Sequence, residues 1–424
     1  MLRIKKISAT LFLLCLFSNA AMASVIMQIE FVGNDKTKDI VLLQEMQSKV
    51  GDKLDVKTVK EDVQAIMDLS LFRSVEYYLY AADDYIQDHV KLVIHVKEKY
   101  FIFVLPDLRF DEEEKEMRFG VRAYWDNING NNHSLRFKVR EHGEELGVRD
   151  IRKSLTYSWP RINGSPYRLE LFNSTRSAID TADELTPQLR DELKYGFDLF
   201  RWYHLNNRSS GWYSGVGLYR EERNNEAFNT GDVSKDDYQG DFWGFRFGYK
   251  KVNNYLFNRR GRDFGYRLDT TRILFDSDEN FTRHLLFYRS YYRMKSYPLN
   301  NLNVQLQLGV SEGDYLGDVE FSLGGKTLRG YEKGEYTGNA MVLMNLEYLV
   351  PMSDNPAYRY GLLFDIGNTY ERFEDIDLSR LHSAIGFGFR WKLAAFVKVN
   401  IRLDFGYAID TGDTNVLLNS RHLF

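Results

Sequence analysis

Cysteine is nearly absent from this chain of 424 residues, which contains only Cys15. Cys15 lies in an N-terminal segment with a basic start, a short apolar run at 11–17 and a small-x-small motif, Ala21-Met22-Ala23. This order is typical of a secretory signal peptide, so we predict that residues 1–23 are removed. The mature chain then has no cysteine, which excludes disulfides, zinc–thiolate sites and cysteine nucleophiles.

Long apolar runs are also absent. After residue 23 no stretch of ~18 apolar residues occurs, so no transmembrane helix is predicted. The mean hydropathy is −0.43. The chain has only 7 prolines, against 28 tyrosines and 29 phenylalanines. Hydropathy alone would indicate a soluble protein, and the alternation of residues described below is what argues against that interpretation.

Signals for enzymatic chemistry are lacking as well. The 8 histidines form no HExxH motif and no metal-ligand spacing. The run Asn132-His133-Ser134 has the residue types of a hydrolase, but neighbours on a strand point to opposite faces and cannot form a charge relay. The mature net charge is −7, from 53 basic residues (56 less the three of the signal peptide) and 60 acidic ones, so no nucleic-acid partner is indicated. We predict no enzyme, and no catalytic, metal or cofactor site.

The segment GGKT at 324–327 resembles the end of a phosphate-binding loop. A P-loop needs an earlier glycine five positions before Gly325, where the sequence has Glu320, and it needs a helix after the motif. The following residues have further glycines and no helical period. A nucleotide site is therefore not predicted, and a glycine-rich loop with one central arginine, Arg329, remains to be explained.

Residues 25–100 have the pattern of a small α+β domain. Alternation at 27–31, 75–79 and 90–96 predicts three strands, and helical spacing at 37–50 and 55–70 predicts two helices. Gly51 follows the first helix as a stop, and Asp55 is placed to cap the second. A strand-helix-helix-strand-strand order can bury two helices on one face of a three-stranded sheet.

Residues 101–424 alternate in segments of roughly ten residues between turn clusters, which is typical of a transmembrane β-barrel. In the clearest segment, 395–408, Val397 and Phe405 share the face that suits lipid, whereas Arg402 and Asp404 share the face that suits a wet lumen. A soluble sandwich would bury the apolar face against a second sheet. The export signal and the aromatic residues near strand ends favour the membrane.

The alternation predicts about sixteen antiparallel strands. They lie at 101–109, 116–126, 132–141, 151–159, 166–176, 192–204, 211–222, 241–252, 262–275, 283–296, 301–311, 339–351, 358–370, 381–392, 395–408 and 415–424. Their connections alternate between short ones, such as 160–165 and 352–357, and long ones, such as 177–191 and 312–338, as periplasmic turns and external loops should. The last strand alternates poorly, so a weak meeting of strands one and sixteen would form a seam.

Several segments resemble the BamA/TamA-type family of outer-membrane proteins. IEFVGND, LFRSVEYYLY and VKLVIHVKEKYFI resemble a single POTRA domain at 25–100. FVLPDLRFDEE, WDNINGNN, NAMVLMNLEYLVP, GLLFDIGN and IGFGFRW resemble the bacterial surface-antigen barrel. The resemblance covers nearly the whole mature chain. The Pro-x-Gly-Pro stretch that often follows the Gly-x-Arg-Trp strand in this family is missing here, where the sequence reads KLAAFVKVN.

The family resemblance also explains the loop that contains Arg329. It implies that 312–338 folds back into the barrel and that the motif Leu328-Arg329-Gly330-Tyr331, preceded by Gly324 and Gly325, lies against the inner wall. Alternation puts Asp365 and Glu347 on the lumen face, and the FxDxG motif makes Asp365 the first expected partner of Arg329 and Glu347 the second. A water-filled lumen would screen this pair to roughly 1–2 kcal/mol.

The function implied by the resemblance is assistance to client polypeptides during insertion into, or passage across, the bacterial outer membrane, with the POTRA domain in the periplasm. Expected partners are outer-membrane lipids, the client and periplasmic accessory proteins. A POTRA edge, formed by Val75, Tyr77, Tyr78 and Leu79, would bind the client by strand addition. A passive pore or surface barrel that keeps the family fold remains an alternative. A two-partner-secretion-like transporter is less favoured, since neither a second POTRA unit nor a plug helix is found.

Overall fold

The computed structural model describes residues 24–82, 88–106, 109–111, 116–145, 148–180, 188–204, 210–227, 238–271, 280–313 and 321–419. The predicted signal peptide, residues 1–23, lies outside these ranges. No helix in the described part of the chain combines the length and the apolar character needed to cross a membrane.

The N-terminal unit has the predicted order of elements. These are β1 (Val25–Val32), α1 (Asp39–Leu43), α2 (Val56–Asp68), β2 (Phe72–Ala81) and β3 (His89–Glu98). β3 is the central strand, parallel to β1 and antiparallel to β2. The two helices cover one face of this sheet around an apolar core that includes Leu42, Ile66 and Leu92. Asp55 caps α2, since its carboxylate accepts from the Lys57 and Thr58 amides at 3.0 and 3.3 Å.

Helix α1 is shorter than the spacing over 37–50 predicted. It ends at Leu43, and the chain then leaves the helical path. The buried carboxylate of Asp62 on α2 accepts from the amides of Gln47 and Ser48 at 2.7 and 3.0 Å. Because a side chain satisfies these backbone groups, the segment keeps its apolar contacts without completing the helix.

The remaining strands are β4 (Ile102–Pro106), β5 (Arg109–Asp111), β6 (Glu116–Arg118), β7 (Gly120–Ile128), β8 (His133–Glu145), β9 (Val148–Trp159), β10 (Tyr167–Asp180), β11 (Gln188–Trp202), β12 (Gly211–Ala227), β13 (Tyr238–Asn254), β14 (Arg259–Thr270), β15 (Phe281–Arg293), β16 (Asn301–Gly313), β17 (Phe321–Leu323), β18 (Tyr336–Gly338), β19 (Ala340–Pro351), β20 (Tyr358–Tyr370), β21 (His382–Lys392), β22 (Asn400–Ala408) and β23 (Thr414–Asn419). Short 3₁₀ helices lie at Ile162–Gly164, Phe373–Asp375 and Leu378–Arg380.

Sixteen of these strands form one antiparallel sheet, which confirms the predicted fold class. The order is β4, β7 to β16 and β19 to β23, and each strand pairs with the strands directly before and after it in this order. Outward side chains are large and apolar, such as Leu362 at 60 % exposure and Phe405 at 47 %, whereas the inward Asn345 and Asp404 are fully buried. Apolar side chains outside and polar ones inside are the arrangement of a membrane barrel.

One predicted strand starts too early. The segment 395–408 was expected to alternate from Val397 onward, but β22 begins at Asn400. Val397 is buried in the core of the N-terminal unit together with Phe101, and Val399 is buried as well. Val397 is therefore apolar because it packs against this unit, and neither Val397 nor Val399 faces lipid.

The first strand of the sheet contacts the turn before β22, the neighbour of the last strand. The Tyr100 amide, just before β4, donates to the Ala395 carbonyl at 2.8 Å, and the rings of Phe103 and Phe396 lie 4.2 Å apart. In the described part of the chain, no residue of β4 pairs with β23. The boundary between β4 and β23, the two end strands, is thus a seam without described strand pairing.

The N-terminal unit lies against the short turns at one end of the barrel. The Asn127 amide donates to Thr37 Oγ1 at 2.8 Å, Arg161 Nε donates to Glu45 Oε1 at 2.9 Å, and the Asn254 amide donates to Asp68 Oδ1 at 2.6 Å. These contacts are made with the ends of β7 and β13 and with the turn after β9. Helix α2 therefore lies across the mouth of the barrel at the end predicted to be periplasmic.

Candidate functional site

The lumen loop, residues 321–338, is folded inside the barrel. Its ends pair as the short hairpin of β17 and β18. Leu328 and Tyr331 are fully buried, and they pack with Leu323 against lumen-facing residues of the wall. Gly324 and Gly325 start a tight turn that the Thr327 hydroxyl closes by donating to the Gly324 carbonyl at 3.0 Å. The residues 314–320 of the predicted loop lie outside the described ranges.

Arg329 and Asp365 are in direct contact. The guanidinium meets the carboxylate with two bonds, from Nε to Oδ2 at 2.6 Å and from Nη2 to Oδ1. The backbone amide of Arg329 also donates to Asp365 Oδ2, at 3.0 Å. Both side chains are 1 % exposed. Bidentate pairing of this kind is specific to the planar arginine fork.

Glu347, the second expected partner, pairs elsewhere. It accepts from Arg390 Nε at 2.8 Å and from the Asn303 amide at 3.0 Å. The second carboxylate near Arg329 is Asp404, whose Oδ2 lies 3.8 Å from Arg329 Nη1. Glu347 therefore belongs to the same cluster, in which Arg390 links it to Asp404.

The complete cluster contains three arginines and three carboxylates. Arg390 joins Glu347 to Asp404, and Arg402 donates to Asp404 from the same strand. The six members are Arg329, Asp365, Glu347, Arg390, Arg402 and Asp404, all at most 4 % exposed. Their formal charges cancel. A neutral, hydrogen-bonded set can be buried, whereas a single charge at this depth would carry a large desolvation penalty.

An amide side chain ties the cluster to the loop backbone. The Asn345 amide donates to Asp365 Oδ1 and to the Thr327 carbonyl, both at 2.7 Å, and its own oxygen accepts from Gln305 at 3.2 Å. The wall thus holds Asp365 in the orientation in which it receives the Arg329 fork. The expectation of a water-screened pair is wrong, because the lumen at this level is filled by the loop.

The loop backbone touches the wall backbone at Gly330. Its φ is +106°, and a Cβ there would lie 2.7 Å from the Ala408 amide nitrogen. On the wall, a Cβ at Gly406 would lie 2.4 Å from the Gly330 nitrogen. Glycine is required on both sides because no side chain fits between the two segments.

Tyr331 attaches the loop to the last strands. Its hydroxyl donates to the Ser383 carbonyl at 3.0 Å and to Asp410, which also contacts His382 Nδ1. Its carbonyl accepts from Asn415 of β23 at 2.9 Å. The motif 328–331 therefore contacts β20, β21, β22 and β23, the last four strands of the sheet.

The predicted client edge is the outer edge of the N-terminal sheet, since β2 pairs only with β3 among the described strands. Tyr78 lies opposite Val93 on β3. Four residues further along the same register, the Ala82 amide donates to the carbonyl of the residue opposite it, His89. Hydrogen-bonded pairs alternate along an antiparallel ladder. The backbone of Tyr78 therefore faces β3, contrary to its assignment to the client edge, and those of Val75, Tyr77 and Leu79 face outward.

Comparison with protein families supports both halves of this architecture. A model described as the Omp85 superfamily domain matches residues 127–416. The chain belongs to the Omp85 superfamily. A POTRA model, described as a surface antigen variable number repeat, matches residues 24–99 of this Omp85 chain. Comparison with curated protein sequences finds no match.

Solved structures share the fold of this Omp85 chain at low sequence identity. BamA from Haemophilus ducreyi lacking POTRA domains 1–3 is 16 % identical, with a TM-score of 0.53 over 95 % of this chain and 84 % of that chain. CdiB from Acinetobacter baumannii is 14 % identical, with a TM-score of 0.61 over 92 % and 73 %. CdiB from Escherichia coli is 11 % identical, with a TM-score of 0.65 over 95 % and 75 %.

Proposed function

We propose that this Omp85 protein lies in the bacterial outer membrane and assists the insertion or translocation of client polypeptides, without covalent chemistry or a nucleotide. In this proposal residues 25–100 form the periplasmic POTRA domain and residues 101–424 form the barrel. The family consists of barrels that insert or transport polypeptides, which supports the proposal. Outer-membrane lipids and periplasmic accessory proteins are further proposed partners.

The observation that carries this proposal is the open edge of β2. Ten residues of extended chain, 72–81, pair on one side only among the described strands. An extended client segment would add to this edge, with main-chain hydrogen bonds to Val75, Tyr77 and Leu79. Exposed Tyr78 and Tyr80, at 43 % and 52 %, lie beside the same edge and would contact client side chains.

The seam provides the route from this edge into the membrane. β4 has five residues and β23 six, and their described parts do not pair. The lumen loop contacts β23 through Asn415, so its docked position bears directly on one side of the seam. We propose that clients reach the bilayer between β4 and β23.

The test compares Leu79→Pro with Leu79→Ala. Proline removes an outward-facing N–H from the edge, and an edge strand tolerates it there because the N–H makes no bond to β3. A photo-reactive residue at Tyr80 reports client contact. We expect Leu79→Pro to lose most of the cross-linked client while Leu79→Ala keeps it, with both barrels assembled as judged by heat-modifiable gel mobility.

Equal cross-linking in the two variants would contradict client binding at this edge. If no polypeptide is captured by any variant, including the unmodified chain, the passive-pore alternative would account for the fold.

A further inference from the structure

A large cavity lies between helix α2 and the barrel lumen. Its volume is about 1010 Å³, and we call it the vestibule. Its roof includes Lys57, Lys60 and Gln64 of α2. Its wall is formed by lumen-facing side chains near the mouth of the barrel. The vestibule lies apart from the cluster of Arg329.

Basic side chains converge on the vestibule from many directions. Five come from β8, β10, β13, β14 and β15, and one from the turn before β22. They are Arg136, Arg168, Lys250, Arg259, Arg289 and Lys398. The barrel carboxylates in the same lining are Asp126, Glu170 and Asp263, so the six cations leave an excess of three on this wall among the described residues.

The roof does not cancel this excess. Its acidic side chains are Glu45, Glu61 and Asp68, against Lys57 and Lys60. The carboxylates of Glu45 and Asp68 are already engaged, by Arg161 at 2.9 Å and by the Asn254 amide at 2.6 Å. Over the complete described lining, with Lys251 included, nine basic residues stand against six acidic ones.

The wall cations are also incompletely satisfied. The Lys250 and Lys398 ammonium groups form no ion pair with a described residue, and both side chains are exposed to the cavity. Arg168 is partly satisfied, because its Nη2 pairs with Glu170 at 2.5 Å. Ammonium groups that line a concave site without an ion-pair partner indicate an anionic ligand.

The cations lie close enough to repel one another. The Lys250 ammonium is attracted by Asp263 and repelled by Arg168, Arg259 and Arg289. Burial lowers the pKa of Lys398, in the turn outside the strands, to about 8; Asp126 opposes this, and the nearby Arg136, Arg168 and Lys250 charges add to it. An anion at the centre of these groups would relieve the repulsion of all of them together.

We propose that the vestibule is a binding site for a compact phosphate-bearing ligand. Six cations that line one cavity suit a small anion that has more than one negative charge. Arginine guanidinium groups also match the geometry of phosphate oxygens. An acidic peptide would instead spread single charges along an extended chain. Two sources can supply the phosphate: a lipid headgroup, or a free phosphate compound that enters from the periplasmic side.

The test is calorimetric titration of the purified full-length barrel at low ionic strength, where screening is weak. The probes are inorganic pyrophosphate, glycerol 3-phosphate and hexaglutamate. We expect phosphate probes to bind and hexaglutamate to bind more weakly. Glycerol 3-phosphate binding as tightly as pyrophosphate would indicate a headgroup. Preference for pyrophosphate would indicate a free phosphate compound.

Two variants test the lining. One is a double variant, Lys250→Gln with Arg289→Gln. The other is the single variant Lys398→Gln, in the turn before β22. The double variant should weaken phosphate binding by at least about tenfold, equivalent to about 1.4 kcal/mol at 25 °C. The control, Lys49→Gln with Lys53→Gln, removes two exposed charges of the N-terminal unit that do not line the vestibule. Heat-modifiable mobility confirms that each barrel is assembled.

Three outcomes would overturn the proposal: no binding of either phosphate probe to the unmodified protein, equal weakening by the control pair, or tighter binding of hexaglutamate. The last would assign the vestibule to a polypeptide. If the double variant fails to assemble, Lys398→Gln decides, and unchanged binding in that variant would count against the site.

Discussion

At the scale of residues, the Arg329 side chain is only 1 % exposed, and its guanidinium forms a salt bridge with the Asp365 carboxylate. Removing one partner of such a pair leaves the other charge uncompensated, which costs ~3–5 kcal/mol. Arg329→Ala should therefore undock the lumen loop while leaving the barrel inserted. Arg329→Lys should also be impaired, because lysine lacks the planar fork. Proteolysis of the loop from outside the cell is the measurement.

Arg380→Ala is the matched control for Arg329→Ala. Arg380 lies in a connection predicted to be external, and its side chain is 79 % exposed and pairs with Asp377. Its removal should change neither the protection of the lumen loop from proteolysis nor the activity of the protein, since exposed ion pairs contribute little to stability. Equal protection of the loop in Arg329→Ala and in the unmodified protein would show that the pair does not hold the loop.

Gly406 offers a second way to undock the loop without changing charge. In Gly406→Ala the new methyl would lie 2.4 Å from the Gly330 nitrogen, so the loop must move away from β22. Gly361→Ala is the control, because its nearest neighbours are side-chain ends at 3.2 and 3.5 Å. We expect faster proteolysis of the loop in Gly406→Ala only. The same rate in both variants would contradict the close approach seen at Gly330.

Lys99, which lies between the N-terminal sheet and β4, should make the stability of the folded protein depend on pH. Burial lowers its pKa to about 8 from 10.5, and Arg73 acts in the same direction. Below pH 8 the folded and unfolded chains are both charged. Between pH 8 and 10.5 only the unfolded chain keeps the proton, so stability rises with pH. Because the pKa falls from 10.5 to about 8 on folding, the free energy of unfolding would rise by about 3 kcal/mol over this range.

Lys99→Met removes this titration. Urea unfolding at about pH 7 and about pH 10 should show that any stability advantage of the variant over the unmodified protein shrinks as pH rises. Lys97→Met, at an exposed neighbouring position, is the control. A difference between the unmodified protein and Lys99→Met that does not change with pH would contradict the effect of burial on Lys99.

At the scale of elements, alternation predicted the barrel strands well because one face must suit lipid and the other the lumen. It failed at Val397, where an equally apolar residue is buried by the N-terminal unit rather than by lipid. It also overextended α1, because the capping of Gln47 and Ser48 by Asp62 joins residues far apart in sequence. Local sequence patterns therefore indicate which residues are buried, but they do not indicate which part of the molecule covers them.

The candidate site was only partly predictable for the same reason. Alternation placed Arg402 and Asp404 on the lumen face, and the family motif paired Arg329 with Asp365. The sequence could not show that Arg390 links Glu347 to Asp404, because that depends on which strands are neighbours and on their register. Similarly, the orientation of the Tyr78 backbone follows from the register of β2 on β3.

At the scale of the whole molecule, the N-terminal unit is fixed to the barrel mouth by contacts such as that of Asp68 with Asn254. Because the mature chain is predicted to lack cysteine, Asp68→Cys with Asn254→Cys should form a single disulfide. If clients enter past α2, the oxidised variant should be inactive, and reduction should restore activity. Each single cysteine variant is the control.

A fully active oxidised variant, with the disulfide shown by gel mobility, would mean that the N-terminal unit does not have to leave the mouth. Clients would then have to enter without passing α2.

The proposed function requires that this barrel acts on client polypeptides. The direct measurement is a quantitative comparison of outer-membrane proteins in cells without the protein, restored with the unmodified chain, or restored with Leu79→Pro. We predict that at least one outer-membrane or secreted polypeptide is depleted without the protein, returns with the unmodified chain and stays depleted with Leu79→Pro. Identical outer-membrane compositions in all three strains would contradict the account.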